Sequence, residues 1–521
     1  MKSVYCIVLT IISGFYCSVN PQDIASDPVA RVGLKNISQE EFIKRYEFTP
    51  WLERQNKSKS QTSKLEFLYT LIAEKLWAQE ATILGLDKTE VMEFTKSEFN
   101  KLFVRDALYK KEITDKIQIS NQEMAEGFNR FNTKLKVNFI FSDSDTEINN
   151  LYALLNNGLM FDTLLSYRPE ASEQVDPIDV VYGQMDNTIE DSLYSLSIGE
   201  YTAPIFTPDG WYIFKLSNRI ESLLPLGSEM IDSKKEVERI IKARKSNILY
   251  ADYFKTFFSD KEIKVNPSLF KILAGDISAR FKWKYENNLI SDSLRFRLQT
   301  EDVLFIEENI DENILNMNYL DFNSEPISLK QFIRILVFDG FVTDGYDITT
   351  VSAFLNKKIR SIIEQELLSR EGFKRGYNLL PEVEAETNMW VDNYLFQVLK
   401  NKFLDSVYIS DAKVYAYYQS TTDDKDQLTK GIQLNDIKKD ELKRKLSFQK
   451  ATGIMNNYTV NLALKYGIGI DFDLLDSIEV TNLSSFAIRG LGFGGKINAV
   501  PMLAPNVKWV QPWLDKLNVI Q

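Results

Sequence analysis

The sequence predicts an α+β protein in which a mostly helical framework carries one small module of strands and helices. Apolar residues recur at helical spacing through long stretches, as in residues 64–84. The alternating run at 136–141 and the apolar run at 210–216 predict strands instead. A set of residues also recurs at a near-constant offset of about 290 positions, so the helical framework is predicted to occur in two copies.

Seven segments follow from these patterns and from the length of 521 residues, which favours several domains. The predicted segments are a signal peptide at 1–19, the first framework copy at 20–134, the α/β module at 135–220, the closing helix and strand of the first copy at 221–268, a connector at 269–319, the second copy at 320–480 and a C-terminal arm at 481–521.

The first residues have the layout of a secretory signal peptide. Lys2 precedes an apolar run over residues 4–12, which is too short to span a membrane as a helix. We therefore expect export to the periplasm. An alternative is a lipoprotein with Cys17 as its lipidated first residue, but the bulky aromatic residues before Cys17 disfavour it. Contact with a membrane is expected only if Cys17 is lipidated.

Composition excludes several classes of function. The formal net charge of −11 disfavours nucleic acid, because phosphate contacts need clustered Lys and Arg. The chain has no histidine, and its two cysteines, Cys6 and Cys17, lie in the leader. Ser-His and Cys-His nucleophile pairs and the common zinc sites are therefore excluded, and we predict no metal and no cofactor. Chemistry based on carboxylates alone stays open, but the acidic residues are scattered along amphipathic helices, where solvation is expected.

The first framework copy begins with a short strand at 29–33. Ser38 and Glu41 have the spacing of a capping box, which predicts that a helix starts there. The helices predicted after it are long ones over 64–84 and 89–116 and a third that begins at Ser120.

The module at 135–220 reads as strand, helix, irregular loop, short helix, strand, strand. Five short motifs mark it in this order: Phe139-Ile140-Phe141, Gly158 to Phe161, Gly183-Gln184-Met185 to Ile189, Leu196 to Glu200, and Gly210 to Lys215. Together they resemble the parvulin (PpiC-type) family of peptidyl-prolyl isomerases. Each motif alone is weak, whereas five in the right order are fairly specific.

The resemblance implies a candidate prolyl-peptide pocket made of Phe139, Met185, Ile189 and Tyr212. Met185 and Ile189 would line the proline slot, and Phe139 and Tyr212 stand where the family has its two histidines. The loop at 177–182 is also shorter than the corresponding family segment. We assign no catalytic residue and predict weak or absent isomerase activity. The alternative role of all four residues is ordinary hydrophobic core.

The second copy is predicted from matched residues and lacks a module. The matches are Ile37-Ser38 with Ile327-Ser328, Phe42 with Phe332, Gly85 with Gly376, and Ser120 with Ser410. Strand, capped helix and long helices in this arrangement resemble the N-terminal portion of SurA- and PrsA-type secreted chaperone-isomerases. That resemblance implies that the closing helix and strand of each copy, at 233–265 and 436–470, return to complete their own copy.

The remaining segments carry less information. The connector shows helical stretches and no recognisable chemistry. The glycine-rich run at 490–496 lacks the spacing of a phosphate-binding loop. We predict instead an arm whose Trp509 and Trp513 pack on the framework or on a neighbouring molecule.

Three hypotheses of function follow. The favoured one is an exported isomerase-like chaperone that binds unfolded or nascent secreted and outer-membrane polypeptides. The second is an active parvulin-type isomerase whose altered site still works, so enzymatic activity stays open. The third is an assembly subunit dedicated to one partner.

Overall fold

The computed structural model describes residues 28–50, 60–167, 176–222, 227–287, 289, 295–421, 436–481 and 485–520. The predicted signal peptide, with Cys6 and Cys17, lies outside the described residues. The chain divides into two compact units, one formed by Lys110–Lys261 and one that combines Met1–Tyr109 with Glu262–Gln521. Long helices and several small sheets form the described part, which confirms the α+β class.

The helices and strands are numbered here along the chain. The helices are α1 Gln39–Phe48, α2 Ser60–Ile83, α3 Glu90–Glu112, α4 Asn121–Phe131, α5 Asp145–Asn156, α6 Phe161–Tyr167, α7 Asn187–Ser195, α8 Ser228–Phe258, α9 Pro267–Glu286, α10 Thr300–Asn309, α11 Glu312–Leu315, α12 Leu329–Phe338, α13 Ile348–Lys374, α14 Pro381–Asp405, α15 Asp411–Thr421, α16 Asp436–Tyr466, α17 Phe472–Ser477 and α18 Val510–Ile520. The strands are β1 Ala30–Val32, β2 Lys35–Ile37, β3 Thr133–Ser142, β4 Ile178–Val180, β5 Ile205–Thr207, β6 Gly210–Glu221, β7 Lys264–Val265, β8 Phe296–Arg297, β9 Asn318–Asp321, β10 Ile327–Ser328, β11 Val342–Thr343, β12 Ile468–Ile470, β13 Ile488–Gly490 and β14 Lys496–Asn498.

In the smaller unit, an antiparallel sheet in the order β4-β3-β6-β5 forms the module. Successive side chains of a strand point to opposite faces, so Phe139 lies on one face and Ile140 on the other. Helix α7 covers the face of Phe139, and α5 and α6 cover the face of Ile140. The two ends of the module meet, because Thr133 pairs with Glu221 at the far end of β3 and β6. A module inserted into a framework needs its first and last residues to be adjacent, and these are.

In the larger unit, the first and second halves of the framework are interleaved. Helices α14 and α16, from the second half, pack on α2 of the first half in one apolar core. A second core joins α9 and α10 to α12 and α13. Trp509 and Trp513 of the C-terminal arm lie against Tyr69 of α2, with ring centroids at 5.8 and 6.5 Å. The arm therefore packs on the framework.

The closing strands do not pair as the resemblance implied. Strand β7, expected to return to the first copy, pairs with β9 at the start of the second half. Strand β12, expected to return to the second copy, pairs with β1 at the start of the chain. The expectation was wrong because strands of two or three residues specify no partner by themselves. Their pairing depends on the tertiary context.

Cysteine cross-links test this exchange, since the predicted mature chain has no cysteine of its own. The register places Arg31 opposite Gly469 and Lys264 opposite Asp321. A Cβ added at Gly469 meets no atom within 4 Å, so cysteine fits there. We expect Arg31→Cys with Gly469→Cys, and Lys264→Cys with Asp321→Cys, to form disulfides on mild oxidation. Mobility on non-reducing gels and free-thiol counts would show them.

The matched control is Arg31→Cys with Lys264→Cys, the pair that would face each other if each copy closed on itself. This variant is expected to keep both thiols free. Efficient cross-linking of the control, together with free thiols in the other two variants, would contradict the exchanged pairing.

Several local features recur at the predicted offset. Gly85 and Gly376 both adopt left-handed backbone conformations, with φ of 73° and 76°, and each precedes a short 3₁₀ turn and a long helix. Ser38 and Ser328 both cap a helix by accepting the backbone N–H three residues later, at 3.1 and 3.2 Å. These features are consistent with a duplication of the framework, which stays a prediction.

Candidate functional site

The two residues at the family's histidine positions lie side by side on the α7 face of the module sheet. Phe139 is opposite Phe214 and Tyr212 is opposite Phe141 in the β3–β6 register. The Phe139 and Tyr212 rings are 5.5 Å apart, and Tyr212 stacks on Phe214 at 5.4 Å. Both candidate residues are partly buried, so one side of this ring cluster reaches solvent.

Met185 and Ile189 complete the candidate set on the same apolar cluster. Ile189 is nearly buried, on the first turn of α7, whereas Met185 is partly buried in the loop before that helix. The structure thus brings all four predicted residues together around one apolar surface. Their role in binding a prolyl peptide stays a prediction.

Glu190, which the sequence reasoning missed, holds the loop that carries Met185. Its side chain is fully buried, with an exposed fraction of 0%. The carboxylate accepts the backbone N–H of Gly183 at 3.1 Å and that of Met185 at 2.8 Å. It also forms an ion pair with Arg244 of α8. A buried carboxylate paired in this way fixes its surroundings, because without it the Arg244 charge is unpaired and two backbone N–H groups lose their acceptor.

A sequence signal for Glu190 did exist. On α7 it stands next to Ile189 and three residues before Leu193, and both of these are buried. A carboxylate on the inward face of a short helix needs partners, so the position predicts a buried ion pair. The partner, Arg244, lies 54 positions away, and spacing gives no hint of it.

Gly183 in the same loop is required by its conformation and its surroundings. Its φ is 87°, in the left-handed region that residues with a Cβ avoid. An added Cβ would lie 2.7 Å from the Ile240 Cδ1 atom on α8. The glycine therefore allows the loop to approach α8 and places Met185 at the pocket.

Tyr212 contributes a hydroxyl that is already engaged. It donates a hydrogen bond to Asp209 Oδ2 at 2.6 Å. Burial and the neighbouring Asp209 carboxylate raise the pKa of Tyr212 to about 12. Hydrogen bonds from Thr207 and Tyr212 hold the pKa of Asp209 below its usual range. Near neutral pH the tyrosine is therefore a neutral donor and the aspartate an ionised acceptor, and neither is poised to exchange a proton.

Within the ranges that the structure describes, no group of three or more Cys, Asp or Glu side chains is arranged to hold a metal ion. The helices of the described ranges also include none with the length and hydropathy needed to cross a membrane.

Part of the chain is similar in sequence to a known protein. A foldase protein PrsA from Oceanobacillus iheyensis is 25% identical over 138 residues, which are 26% of this chain and 46% of that protein. The chain is similar to the SurA/PrsA-type parvulin chaperones. The predicted resemblance is thereby confirmed, although the match spans only about half the length of the curated relative. No family model matches the chain.

Solved structures of SurA/PrsA-type proteins also align with parts of the chain. PrsA from Bacillus anthracis is 17% identical, with a TM-score of 0.21, and the alignment covers 36% of this chain and 96% of that chain. A chain from the work on PEB4 and Cj1289 of Campylobacter jejuni, described there as SurA-like chaperones, is 15% identical with a TM-score of 0.20. That alignment covers 44% of this chain and 97% of the other.

Proposed function

We propose that this protein is an exported, isomerase-like chaperone that binds unfolded polypeptides and has weak or no isomerase activity. One observation carries the proposal. The four residues Phe139, Met185, Ile189 and Tyr212 share one partly exposed apolar surface. Such a surface suits an apolar side chain or a proline ring and supplies no acid, base or nucleophile.

Isomerisation of a prolyl bond requires a barrier of roughly 18–20 kcal/mol to be lowered by weakening amide resonance. In the parvulin family, two histidines belong to a hydrogen-bond network at the floor of the site. Phe139 has no polar atom in its side chain, and the Tyr212 hydroxyl is committed to Asp209. The network therefore has no counterpart at these positions, while Phe139, Met185 and Ile189 would still offer an apolar surface to a proline ring.

We expect the purified mature protein to turn over a prolyl peptide at least roughly tenfold more slowly than an active parvulin. Tenfold corresponds to about 1.4 kcal/mol of barrier, which is comparable to the net value of one hydrogen bond. A protease-coupled assay of cis-to-trans conversion would measure the turnover. A matched variant, Ile189→Ala, shows whether any residual rate belongs to this site. Turnover equal to that of an active parvulin would instead favour a working isomerase.

The chaperone proposal is tested by light scattering during the aggregation of several unrelated unfolded proteins. Suppression of aggregation for most of them at near-stoichiometric concentrations supports a general chaperone. Suppression for none, together with co-purification of one partner in fixed ratio, would favour a dedicated assembly subunit.

Export and placement in the periplasm are part of the proposal and rest on the leader at 1–19. The proposed clients are therefore polypeptides that have crossed the inner membrane. The two framework copies would supply the surface around such clients, and the module would supply one local binding site.

A further inference from the structure

We propose that a groove between the C-terminal end of α14 and the first half of α16 binds extended polypeptide segments in which an aromatic residue is flanked by acidic residues. The proposal deepens the proposed function, since it names a class of client segment. The groove lies in the second half of the chain, away from the module sequence. Its lining residues are Leu404, Lys443, Arg444, Ser447 and Phe448.

The size and the walls of the groove suit a large side chain. Its volume is about 430 Å³, within the range of roughly 300–1,000 Å³ typical of ligand-binding clefts. Phe448 lines it with 65% of its surface exposed, and Tyr408 beside it is 73% exposed. Exposed aromatic residues around a concave site are typical of surfaces that anchor another polypeptide.

The position of Tyr408 next to α16 is fixed by contacts. Lys450 Nζ donates a hydrogen bond to the Tyr408 backbone carbonyl at 3.2 Å. Lys443 Nζ lies 5.9 Å from the centre of the Tyr408 ring. Below them, Ile409 and Val414 pack on Leu442 of α16 in a small core. Tyr408 and Phe448 are therefore close in sequence to the packed residues Ile409 and Leu446, which hold the backbone on both sides of the groove.

The groove is cationic although the whole chain carries a formal charge of −11. Arg444 is exposed, and no ion pair involves it within the ranges that the structure describes. Lys443 reaches Asp411 only at 3.6 Å, and the same carboxylate binds Lys439 at 2.8 Å. The Arg444 charge beside these aromatic walls is complementary to a segment that presents carboxylates next to an aromatic ring.

Another occupant with negative charge would be the surface of an anionic membrane. The concave shape and the exposed Phe448 and Tyr408 rings favour a polypeptide side chain, because a membrane surface offers no single group to fill a cleft. Binding to vesicles is therefore kept as an outcome of the test that would overturn the proposal.

The test uses the full mature chain and fluorescein-labelled twelve-residue peptides of Gly and Ser around a central triplet. Fluorescence anisotropy would compare Glu-Trp-Glu, Lys-Trp-Lys and Glu-Ala-Glu triplets. We expect the first to bind at least roughly tenfold more tightly than the other two, because only it satisfies both charge and shape. Equal binding of Lys-Trp-Lys, or no binding of Glu-Trp-Glu, would overturn the proposal.

Variants locate the site. Arg444→Glu and Phe448→Ser are each expected to weaken binding of the Glu-Trp-Glu peptide at least roughly tenfold. Lys508→Glu makes the same charge change at another exposed position, and Phe472→Ser removes another exposed ring. Neither control should change the affinity by more than about twofold. Equal losses in the controls would overturn the assignment to the groove. All four residues are exposed, and circular dichroism would verify that each variant is folded.

Two further results separate this proposal from the chaperone proposal. Retained suppression of aggregation without any peptide preference would remove the groove as a site and leave the chaperone function standing. Flotation with vesicles of anionic lipid that depends on Arg444, without peptide binding, would assign the groove to a membrane surface and overturn the proposal.

Discussion

The Glu190→Ala variant is expected to destabilise the 110–261 unit by about 3–5 kcal/mol, the usual cost of removing one member of a buried ion pair. The substitution leaves the Arg244 guanidinium without its carboxylate. It also removes the acceptor of the partly buried Gly183 and Met185 backbone N–H groups, and each lost hydrogen bond costs roughly 1 kcal/mol. Because these costs overlap and the Arg244 side chain is 17% exposed, about 3 kcal/mol is the better expectation. A fall in melting temperature on the order of 10 °C follows for a unit of this size.

Hydrogen exchange measured by mass spectrometry would locate the effect. The peptide that spans residues 183–185 is expected to lose protection first, because Glu190 accepts two of its backbone N–H groups. The neighbouring variant Asp191→Asn is the control, since its side chain is 50% exposed and its pairing with Arg130 contributes little. Unchanged protection at 183–185 in Glu190→Ala would contradict the positioning role.

The sequence predicted those parts of the site that depend on local pattern. The alternation around Phe139 placed it on a strand, and the motif at Gly183 placed Met185 and Ile189 near α7. The first prediction rests on a periodicity that acts over a few positions, and the second on the resemblance of a short motif to the parvulin family. The ion pair of Glu190 with Arg244 depends on the packing of α8 against the module, which no local pattern encodes.

In the framework, too, the sequence predicted local features but not the long-range contacts. Ser120 was predicted to cap a helix, and it forms the full reciprocal capping box with Glu123 of α4. Helix α3 ends at Glu112 and continues only as a 3₁₀ turn at 114–116, a few residues from the predicted end. The partners of β7 and β12 were predicted wrongly, because a resemblance in arrangement specifies the elements and not which half of the chain each one joins. Helix α2 of the first half shares one apolar core with α14 and α16 of the second half, a long-range contact that no local pattern encodes.

A buried charged network joins the two halves of the framework, and it gives the second large prediction. Arg45 of α1 has an exposed fraction of 0% and forms an ion pair with Glu74 of α2, with a second contact from Nη2 to Oε2 at 3.0 Å. Asn393 of α14 donates to Glu74 Oε2 at 2.6 Å. Burial acts to lower the pKa of Arg45, but the carboxylates of Glu74, Glu41 and Asp392 together more than offset it, and the pKa is raised. Arg45 is therefore charged at every accessible pH.

The Glu74→Ala variant is expected to lose about 3–5 kcal/mol of the free energy of unfolding, because it leaves Arg45 charged and buried. Urea unfolding of the full mature chain, followed by circular dichroism, would measure the loss. Glu371→Ala is the matched control in the same unit. It breaks an i,i+4 pair with Arg375, whose side chain is 35% exposed, and should cost less than about 1 kcal/mol. A loss in Glu74→Ala as small as in the control would show that solvent reaches the network.

The double variant Arg45→Met with Glu74→Leu distinguishes the effect of this ion pair on stability from its effect on which strands pair. Charge and partner are removed together, so no buried charge is left unpaired, and apolar side chains of similar volume fill the space. Such replacements are often neutral or stabilising, so the double variant should be more stable than Glu74→Ala by several kcal/mol. It would still remove the Glu74 acceptor of Asn393 and the Arg45 donor of the Pro501 carbonyl. If the double variant recovers stability but the cross-link between positions 31 and 469 forms less efficiently, the network acts mainly to select the exchanged pairing of the two halves. If the cross-link is unchanged, the apolar faces of α2 and α14 suffice to select it.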